Sequence, residues 1–393
     1  MNGTIYMPVG EVCSSISDTY REKKNMVTLI NTSDVLEGRV LNHERVPNSN
    51  LKGQFKKTFQ RDDILYSEIR PQNRRFAYVD FSPIDYIAST KLMVIRAKKD
   101  VVSPKYLYYF LKNSSTVAEL QLLAETRSGT FPQITFSEVA NLTIPIPSLA
   151  VQEVIVQTMQ CLEDKITCNE QINDNLEQQA QSYFQELFVD NADPEWTTGT
   201  ISDLGTVVGG STPSKAKPEY YTESGIAWIT PKDLSNNKSK FVSHGENDIT
   251  ELGLRNSSAS IMPEGTVLFS SRAPIGYIAI AAGEVTTNQG FKSVVPKPET
   301  GTPFVYFFLK NTLPVIEGMA SGSTFKEVSG STMKNVPAVI PDAETLAKFS
   351  DFCAPIFAQQ RILEEQNQSF ATLRDNLLPK LMSGEIDVSA VQL

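Results

Sequence analysis

The 393-residue chain has few of the residues that enzymes and metalloproteins use at reactive sites. It contains two histidines, His43 and His244, and four cysteines with no CxxC spacing. Cys161 and Cys168 are the closest cysteine pair, but seven helical residues separate their backbones by about 10 Å along the axis, too far for a disulfide. The composition therefore argues against a disulfide-stapled secreted domain and against a cysteine–histidine zinc site.

Long apolar segments are also missing. No run approaches the ~18–20 residues that a membrane-spanning helix needs. The first residues, MNGTIYMPVGEVCSS, lack the basic start and apolar core of a secretory signal. We therefore expect a cytoplasmic protein with reduced thiols and no membrane partner.

Motifs of enzymes that modify DNA unaided are absent as well. The sequence has no GxSxG elbow, no Walker GxxxxGK[ST] loop, no FxGxG-like loop for S-adenosylmethionine and no [ND]PP[YF] tetrapeptide for amino-methylation of a flipped base. We therefore expect no catalytic residue, no metal and no bound cofactor in this chain.

The net charge of −9 argues at first against a nucleic-acid partner, but the charge is unevenly distributed. Residues 149–193 contain one Lys or Arg against nine Asp or Glu, and residues 342–393 contain four against eight. Residues 1–148 contain 19 against 15, and residues 194–341 contain 12 against 13. The acidity therefore belongs to two segments, and the rest of the chain is neutral to basic.

The sequence repeats itself once, at about half its length. Four phrases recur in the same order in both halves. They are DDILYSEIRP (62–71) and GTVLFSSRAP (265–274), YYFLKN (108–113) and YFFLKN (306–311), SGTF (128–131) and SGSTF (321–325), and NLTIPIP (141–147) and NVPAVIP (335–341). One duplication of this length indicates two similar domains rather than a solenoid, which needs at least three short repeats.

Each half is predicted to be a mixed α/β (α+β) domain followed by a long helix. DILYS, FAYVDF and TKLMVI in the first half, and GTVLFS and YIAIAA in the second, are typical of short strands. The aromatic phrase YLYYFLKN and its copy are typical of short buried helices, and plain core packing explains them. The predicted domains are 1–148 and 191–341, and the predicted helices are 149–190 and 342–393, the last with a C-terminal tail.

The two helical segments carry a coiled-coil pattern. Apolar or small polar residues recur with alternating spacings of four and three from 155 to 187, and equivalent positions run from 349 to 381. Neither helix can bury such a stripe on a small domain, so we expect an antiparallel pair with a pseudo-twofold axis between the halves. The expected interface residues are Ile155, Leu162, Ile166, Asn169, Asn173, Leu176, Ile356, Leu363, Asn367, Phe370 and Leu377. Buried asparagines fix register, and we expect Asn169 to pair with Asn367.

Loops in both domains carry residues suited to duplex DNA. Lys, Ser and Thr contact phosphates, Arg binds guanine, and Asn or Gln bind adenine. The candidates in the first half are Lys56, Lys57, Arg70, Asn73, Arg74, Arg75 and Lys91. The candidates in the second half are Thr212, Ser214, Lys215, Lys232, Arg272, Asn288, Gln289 and Lys292.

Structural alternatives remain open for the same loops. Gly, Ser and Pro in GGSTPS and SSRAPIG are also what turns require. Arg272 is equally suited to pairing with a carboxylate, and Asn288 to capping a turn. A basic cluster is often only a solvated surface.

These motifs resemble a known family. GGSTPSKAKPEYYTESGIAWITPKDLS, SSRAPIGYIAIAAGEVTTNQGF and LRDNLLPKLMSGEI are similar to the DNA specificity subunit of type I restriction–modification enzymes. In the first half, TSDVLEGRVLNH, KKTFQRDDILYSEIRPQNRRFAYVDF and STKLMVIRA are similar to the same family. The resemblance covers essentially the whole chain, including the order of domain, helix, domain, helix.

The resemblance implies a non-catalytic, sequence-specific DNA-binding subunit. Each target recognition domain reads one half of a bipartite DNA target in the major groove, and the antiparallel helices set the spacer. The helices also dock two modification (methyltransferase) subunits, which bind S-adenosylmethionine and methylate adenine, while restriction subunits add ATP- and Mg²⁺-dependent cleavage. Two alternatives stay open: a specificity subunit of a methylation-only or type IIB-like system, and a coiled-coil scaffold that binds protein.

Overall fold

A computed structural model describes residues 4–49, 53–126, 132–322 and 326–388. The chain divides into two compact units: unit 1 is Met1–Ile166 with Gln368–Leu393, and unit 2 is Thr167–Asn367. Each unit therefore combines one mixed domain with a segment from each of two long helices. The SGTF motif at 128–131 lies outside the described residues, as do residues 323–325 of its copy.

Unit 1 contains short strands and helices that follow the predicted mixed pattern. Its strands are β1 Ile5–Pro8, β2 Cys13–Ile16, β3 Met26–Ile30, β4 Val35–Leu36, β5 Arg39–Val40, β6 Val46–Pro47, β7 Phe55–Lys57, β8 Ile64–Ser67, β9 Phe76–Tyr78, β10 Tyr86–Ser89, β11 Leu92–Ala97 and β12 Thr143–Ile146. Its helices are α1 Val9–Val12, α2 Pro104–Lys112, α3 Ser114–Thr126, α4 Phe136–Asn141 and the start of α5 Leu149–Gln185. Short 3₁₀ turns cover Thr32–Asp34 and Pro71–Asn73.

Unit 2 follows the same order. Its strands are β13 Thr197–Thr200, β14 Gly205–Gly209, β15 Tyr221–Thr222, β16 Ile226–Ile229, β17 Phe241–Val242, β18 Asn247–Ile249, β19 Val267–Ser271, β20 Ile275–Ala281, β21 Thr286–Thr287, β22 Lys292–Pro296 and β23 Pro337–Ile340. Its helices are α6 Ile201–Leu204, α7 Pro231–Asn236, α8 Glu251–Arg255, α9 Thr302–Met319, α10 Gly330–Lys334 and most of α11 Ala343–Ser383. A π-helical turn, Glu186–Asp190, extends α5, and a 3₁₀ turn covers Pro218–Tyr220.

The sheets confirm the internal repeat. One sheet has the order β2-β11-β8-β9 in unit 1 and β14-β22-β19-β20-β17 in unit 2, so unit 2 adds one strand at the edge. A parallel pair, β3 with β10 and β16 with β21, recurs in the second sheet of each unit. The antiparallel pair of β1 with β12 recurs as β13 with β23. The five predicted strands are present as β8, β9, β11, β19 and β20, with ends shifted by a few residues.

The central strands and the aromatic helices form the core of each unit. All residues of β8 and of β19 are buried, which explains why both strands consist of apolar residues and serine without an alternation of apolar and charged positions. The predicted aromatic helices are α2 and α9, and Tyr106, Tyr109 and Phe307 on them are fully buried. Core packing does not explain every residue of YYFLKN and YFFLKN. The lysine of each copy forms an ion pair instead, Lys112 with Glu163 and Lys310 with Glu177.

The long helices α5 and α11 pair as the heptad pattern predicts. All ten positions from 155 to 187 and all ten from 349 to 381 are buried or half-buried. Within unit 2, Asn169 Nδ2 donates to Asn367 Oδ1 at 2.9 Å, and the rings of Tyr183 and Phe352 lie 4.5 Å apart. Residue numbers rise along α5 as they fall along α11, so the helices are antiparallel there. The expected Asn169–Asn367 pair is present.

Candidate nucleic-acid interface

Six of the eight candidate side chains of the second half line one groove in unit 2, with a volume of about 490 Å³. They come from separate loops: the loop after β14, the start of α7, the β19–β20 turn and the loop after β21. The candidates that line it are Thr212, Lys215, Lys232, Arg272, Asn288 and Gln289. Ser214 is exposed beside Lys215. Side chains separated by up to 77 positions in sequence therefore share one concave surface, which we call the unit 2 groove.

The parallel pairing of β16 with β21 explains this convergence. Trp228 lies opposite Thr286 and Ile229 opposite Thr287, so the loops after both strands leave the same edge of the sheet. The backbone N–H of Asn288 donates to the Ile229 carbonyl at 3.0 Å and ties the two loops together. The loop after β16 turns into α7 through a capping box, in which Asp233 accepts from the Thr230 backbone at 2.7 Å.

Three candidate cations in or beside the unit 2 groove, Arg272, Lys232 and Lys292, have carboxylate partners. Arg272 donates to Glu327 Oε2 at 3.4 Å, and Lys292 Nζ lies 3.9 Å from the other oxygen of Glu327. Burial lowers the pKa of Lys292, and Glu327 partly offsets this. Lys232 lies 2.5 Å from Glu246 on the open surface. The pairing of Arg272 with a carboxylate, which the sequence left open, is therefore present.

Amide and hydroxyl groups in the groove are also engaged. Asn288 Oδ1 accepts from the Gly290 backbone at 2.8 Å, which is the turn cap that the sequence left open. The hydroxyl of Thr212 donates to the Gln289 side chain. These bonds hold the loops in place, while Gln289 Nε2 and Asn288 Nδ2 have donor capacity beyond them.

The candidates of the first half fall into two groups by their contacts. Lys57 Nζ donates to the Leu92 carbonyl at 2.8 Å and to the Thr90 carbonyl at 3.1 Å, and Arg75 donates to the Ser33 carbonyl at 3.0 Å. These two side chains serve the fold of their own domain. The other candidates are more open: Lys56, Arg70, Asn73 and Lys91 are exposed, and Arg74 is half-buried. Arg74 donates to Ser114 Oγ at 2.9 Å, and Lys91 lies 3.6 Å from Glu68.

A turn with unusual backbone geometry recurs at the end of the central strand in both units. Arg70 before Pro71 has φ 44°, and Ala273 before Pro274 has φ 48°. The left-handed region is costly for residues with a side chain, and a following proline restricts the backbone further. Such strain persists mainly where function requires it. The repeated turn carries Arg74 and Arg75 in unit 1 and follows Arg272 in unit 2.

Sequence reasoning missed several residues of this surface. Trp228 and Asn247 line the groove, and Glu327 pairs with two candidate cations from a segment 55 positions away. A signal for Glu327 was present in the repeat, since the SGTF alignment places it at the position of Gln133.

Among the described residues, no group of three His, Cys, Asp or Glu side chains is arranged to hold a metal ion. No helix within the residues that the structure describes is long and apolar enough to span a bilayer.

Comparison with known proteins gives consistent relatives. The chain matches the type I restriction modification DNA specificity domain twice, over residues 6–178 and 194–376. It is 30% identical over 435 residues to the type I restriction enzyme HindI specificity subunit of Haemophilus influenzae, covering 92% of this chain and 94% of that protein. It is 39% identical over 194 residues to the type I restriction enzyme MjaIX specificity subunit of Methanocaldococcus jannaschii, covering 47% of this chain and 45% of that protein. The type I restriction-modification S subunit of M. genitalium has a similar fold, with a TM-score of 0.56 at 16% identity over 97% of each chain.

The duplicated architecture and these matches define the class of protein. Two target recognition domains alternate with two long coiled-coil helices, and one copy of the family domain matches each half. The chain belongs to the type I restriction modification DNA specificity family and is a specificity subunit of such a system. Specificity subunits of this family are non-catalytic.

Proposed function

We propose that this chain reads the DNA target of a type I restriction–modification complex. Each mixed domain binds one half of a split double-stranded sequence, and the paired helices set the spacer between the halves. Two modification subunits dock on the helices and methylate adenine, and restriction subunits add cleavage. S-adenosylmethionine, ATP and Mg²⁺ belong to those partner subunits.

The unit 2 groove is the observation that carries this proposal. Its side chains combine cations for phosphates with Arg, Asn and Gln for base edges. They come from separate loops that the strands of unit 2 bring together. In unit 1 the exposed turn around Arg70, Asn73 and Arg74 has the matching place after the central strand. The loops differ between the units, as reading two different half-sites requires.

The charge of the helices supports a protein-facing role for them. Asp164, Glu170 and Asp174 are exposed along α5, and carboxylates there repel a phosphate backbone. The helices therefore contact partner subunits rather than DNA, and their length suits a spacer of about one helical turn, ~34 Å, between half-sites.

Methylome sequencing tests the proposed function. Cells that express this chain together with its modification subunits are compared with cells that express the modification subunits alone. We expect N6-methyladenine at one split motif only when this chain is present. Methylation without a split motif, or no dependence on this chain, contradicts the proposal.

Arg272 offers a sharper test of the groove. Replacing it with alanine should relax discrimination at one base pair by about 1–3 kcal/mol, because a bidentate arginine–guanine contact is lost. Competition binding of the assembled complex to single-base target variants measures this. Arg255→Ala is the matched control, since Arg255 is an exposed arginine of α8 that pairs with Glu251 outside the groove. Equal weakening of every sequence would make Arg272 a phosphate contact instead.

A further inference from the structure

The lysine that precedes β17 has its charged end buried between the long helices of unit 2. Lys240 Nζ lies 2.8 Å from Glu177 on α5 and 2.8 Å from Gln360 Oε1 on α11. It also lies 3.5 Å from the centre of the Phe357 ring on α11, and its side chain is only 6% exposed. One side chain of the recognition domain therefore contacts both long helices.

The backbone at the same position continues this attachment. Glu364 on α11 accepts from the backbone N–H of Lys240 at 2.7 Å and of Phe241 at 3.0 Å. On the other side, the Lys240 carbonyl accepts from the Ile280 N–H at 2.7 Å. We call Lys240 with Glu177, Gln360, Phe357 and Glu364 the Lys240 cluster. The cluster joins the helices to β20, whose first residue follows the turn that carries Arg272.

The energetics of the Lys240 cluster favour a geometric role over a stabilising one. Burial lowers the pKa of Lys240 to about 8, although Glu177 raises it in part. Burying a charged pair costs desolvation that its attraction only partly repays, so such pairs contribute little net stability. What a satisfied buried pair does supply is one defined arrangement of the groups around it.

The equivalent position in unit 1 is a glycine. The Tyr78 N–H donates to the Gly38 carbonyl at 3.1 Å, just as the Ile280 N–H donates to the Lys240 carbonyl. Gly38 has φ 107°, and an added Cβ would collide with the Tyr108 hydroxyl. No side chain at this position can reach the helices in unit 1, so the Lys240 cluster is specific to the second domain.

We propose that Lys240 is a positioning residue that fixes the tilt of the unit 2 groove on the long helices and thereby sets the spacer length that the complex accepts. This inference rests on the proposed function. About six to eight strand residues, roughly 20 Å, separate the cluster from Arg272. A rotation of about 10° at that radius moves the groove by about 3.4 Å, which is one base-pair step.

Methylome sequencing of the Lys240→Met variant, co-expressed with the modification subunits, tests this role. Methionine keeps most of the length and the apolar character of the stem beside Phe357 but loses the charged Nζ and its bonds to Glu177 and Gln360. We expect methylation at the same two half-sites to spread to spacers one base pair shorter or longer, with discrimination against the wrong spacer falling about tenfold. Lys238→Met, which removes an exposed lysine two residues away, should keep the single wild-type spacer.

A second variant keeps the test decisive if Lys240→Met does not fold. Glu364→Gln retains the shape of the side chain and weakens only the backbone contacts, so it should broaden the spacer in the same direction by a smaller factor. A folded Lys240→Met protein with one spacer overturns the inference, and so does one spacer in Glu364→Gln if the first variant is unfolded. A wild-type complex without any split motif contradicts the proposed function instead, so the two failures are distinguishable.

Discussion

The two units attach the same domain to the same pair of helices in different ways. Both use the lysine of the repeated aromatic phrase, which pairs with a glutamate of α5: Lys112 with Glu163, and Lys310 with Glu177. Unit 2 adds the Lys240 cluster, whereas unit 1 has Gly38 at that position. The shared ion pair persists because it belongs to the duplicated core, while the second attachment lies on an edge where the halves diverge.

The space around Gly38 shows what the missing side chain leaves behind. A polar pocket of about 320 Å³ lies beside it, lined by Arg74, Lys112 and Arg374 among others. In unit 2 the corresponding region is filled by Lys240 and Phe241, and Phe241 packs against the Phe357 ring at 6.0 Å. The comparison teaches that one edge position decides whether this edge of the recognition domain is attached to the helices.

Substitution of Gly38 should have the largest effect on this comparison. Gly38→Ala adds a Cβ in the left-handed region and against Tyr108, so we expect a loss of about 2–5 kcal/mol in the unfolding free energy of unit 1. Hydrogen exchange of the α2 amides measures that unit, because both tryptophans, Trp196 and Trp228, lie in unit 2. Their emission should stay unchanged.

Two further variants control the Gly38 prediction. Gly53→Ala places its Cβ in open space, 3.8 Å from Lys56 Cε, and should cost little. Tyr108→Phe in the Gly38→Ala background removes the colliding hydroxyl and should restore part of the stability. Equal protection of α2 in Gly38→Ala and Gly53→Ala would mean that the glycine is not required.

The ion pair of unit 2 should show a defined pH dependence. Burial raises the pKa of Glu177, but Lys240 and Lys310 outweigh burial and lower it to about 2, from an ordinary 4.5. Since the folded pKa is the lower one, the ionised carboxylate stabilises the fold above about pH 4.5, and this contribution is lost as the pH falls toward 2. Glu177→Gln should therefore cost about 1–3 kcal/mol at pH 7 and roughly half of that at pH 3, where part of the contribution is already lost.

Urea unfolding followed by tryptophan emission measures this effect in unit 2. The groups that face Glu177 are Lys240, Lys310, Tyr306, Gln360 and Glu364. Asp174→Asn, an exposed carboxylate on the same helix, should show no such change with pH. A Glu177→Gln cost that is the same at pH 3 and pH 7 would refute the assignment.

Periodic patterns explain what the sequence predicted correctly. Local runs or regular spacings of apolar residues predicted the strand β8 and its copy β19, the aromatic helices and the coiled-coil interface. The Asn169–Asn367 pair followed from the same register, which places these two asparagines opposite each other when the helices run antiparallel. The duplication then doubled every one of these signals.

Long-range partners explain what the sequence could not predict. The sequence does not distinguish a lysine that donates to backbone carbonyls, such as Lys57, from one that faces solvent, such as Lys56. Gly38 and Lys240 are equivalent because their carbonyls accept matching hydrogen bonds, from Tyr78 of β9 and from Ile280 of β20. The segments that contain Gly38 and Lys240 are not similar in sequence, so the sequence could not show this equivalence. The pairing of Glu327 with Arg272 depends on a tertiary contact between residues 55 positions apart in sequence, which no local pattern predicts.

The smallest expected effect concerns Glu327, and it extends the comparison to the reading loops. Unit 1 has neutral Gln133 at this position, where its side-chain oxygen lies 3.4 Å from Lys91 Nζ. Glu327 instead competes with phosphate for Arg272 and Lys292, so under the proposed function Glu327→Gln should raise affinity for non-target DNA by about two- to fivefold, the range of an exposed ion pair. Fluorescence anisotropy of the assembled complex measures this, with Glu317→Gln as a control of equal charge change on α9. The gain should shrink with added salt, and Glu317→Gln should show a smaller gain. Equal gains in the two variants would reduce Glu327 to a general electrostatic effect.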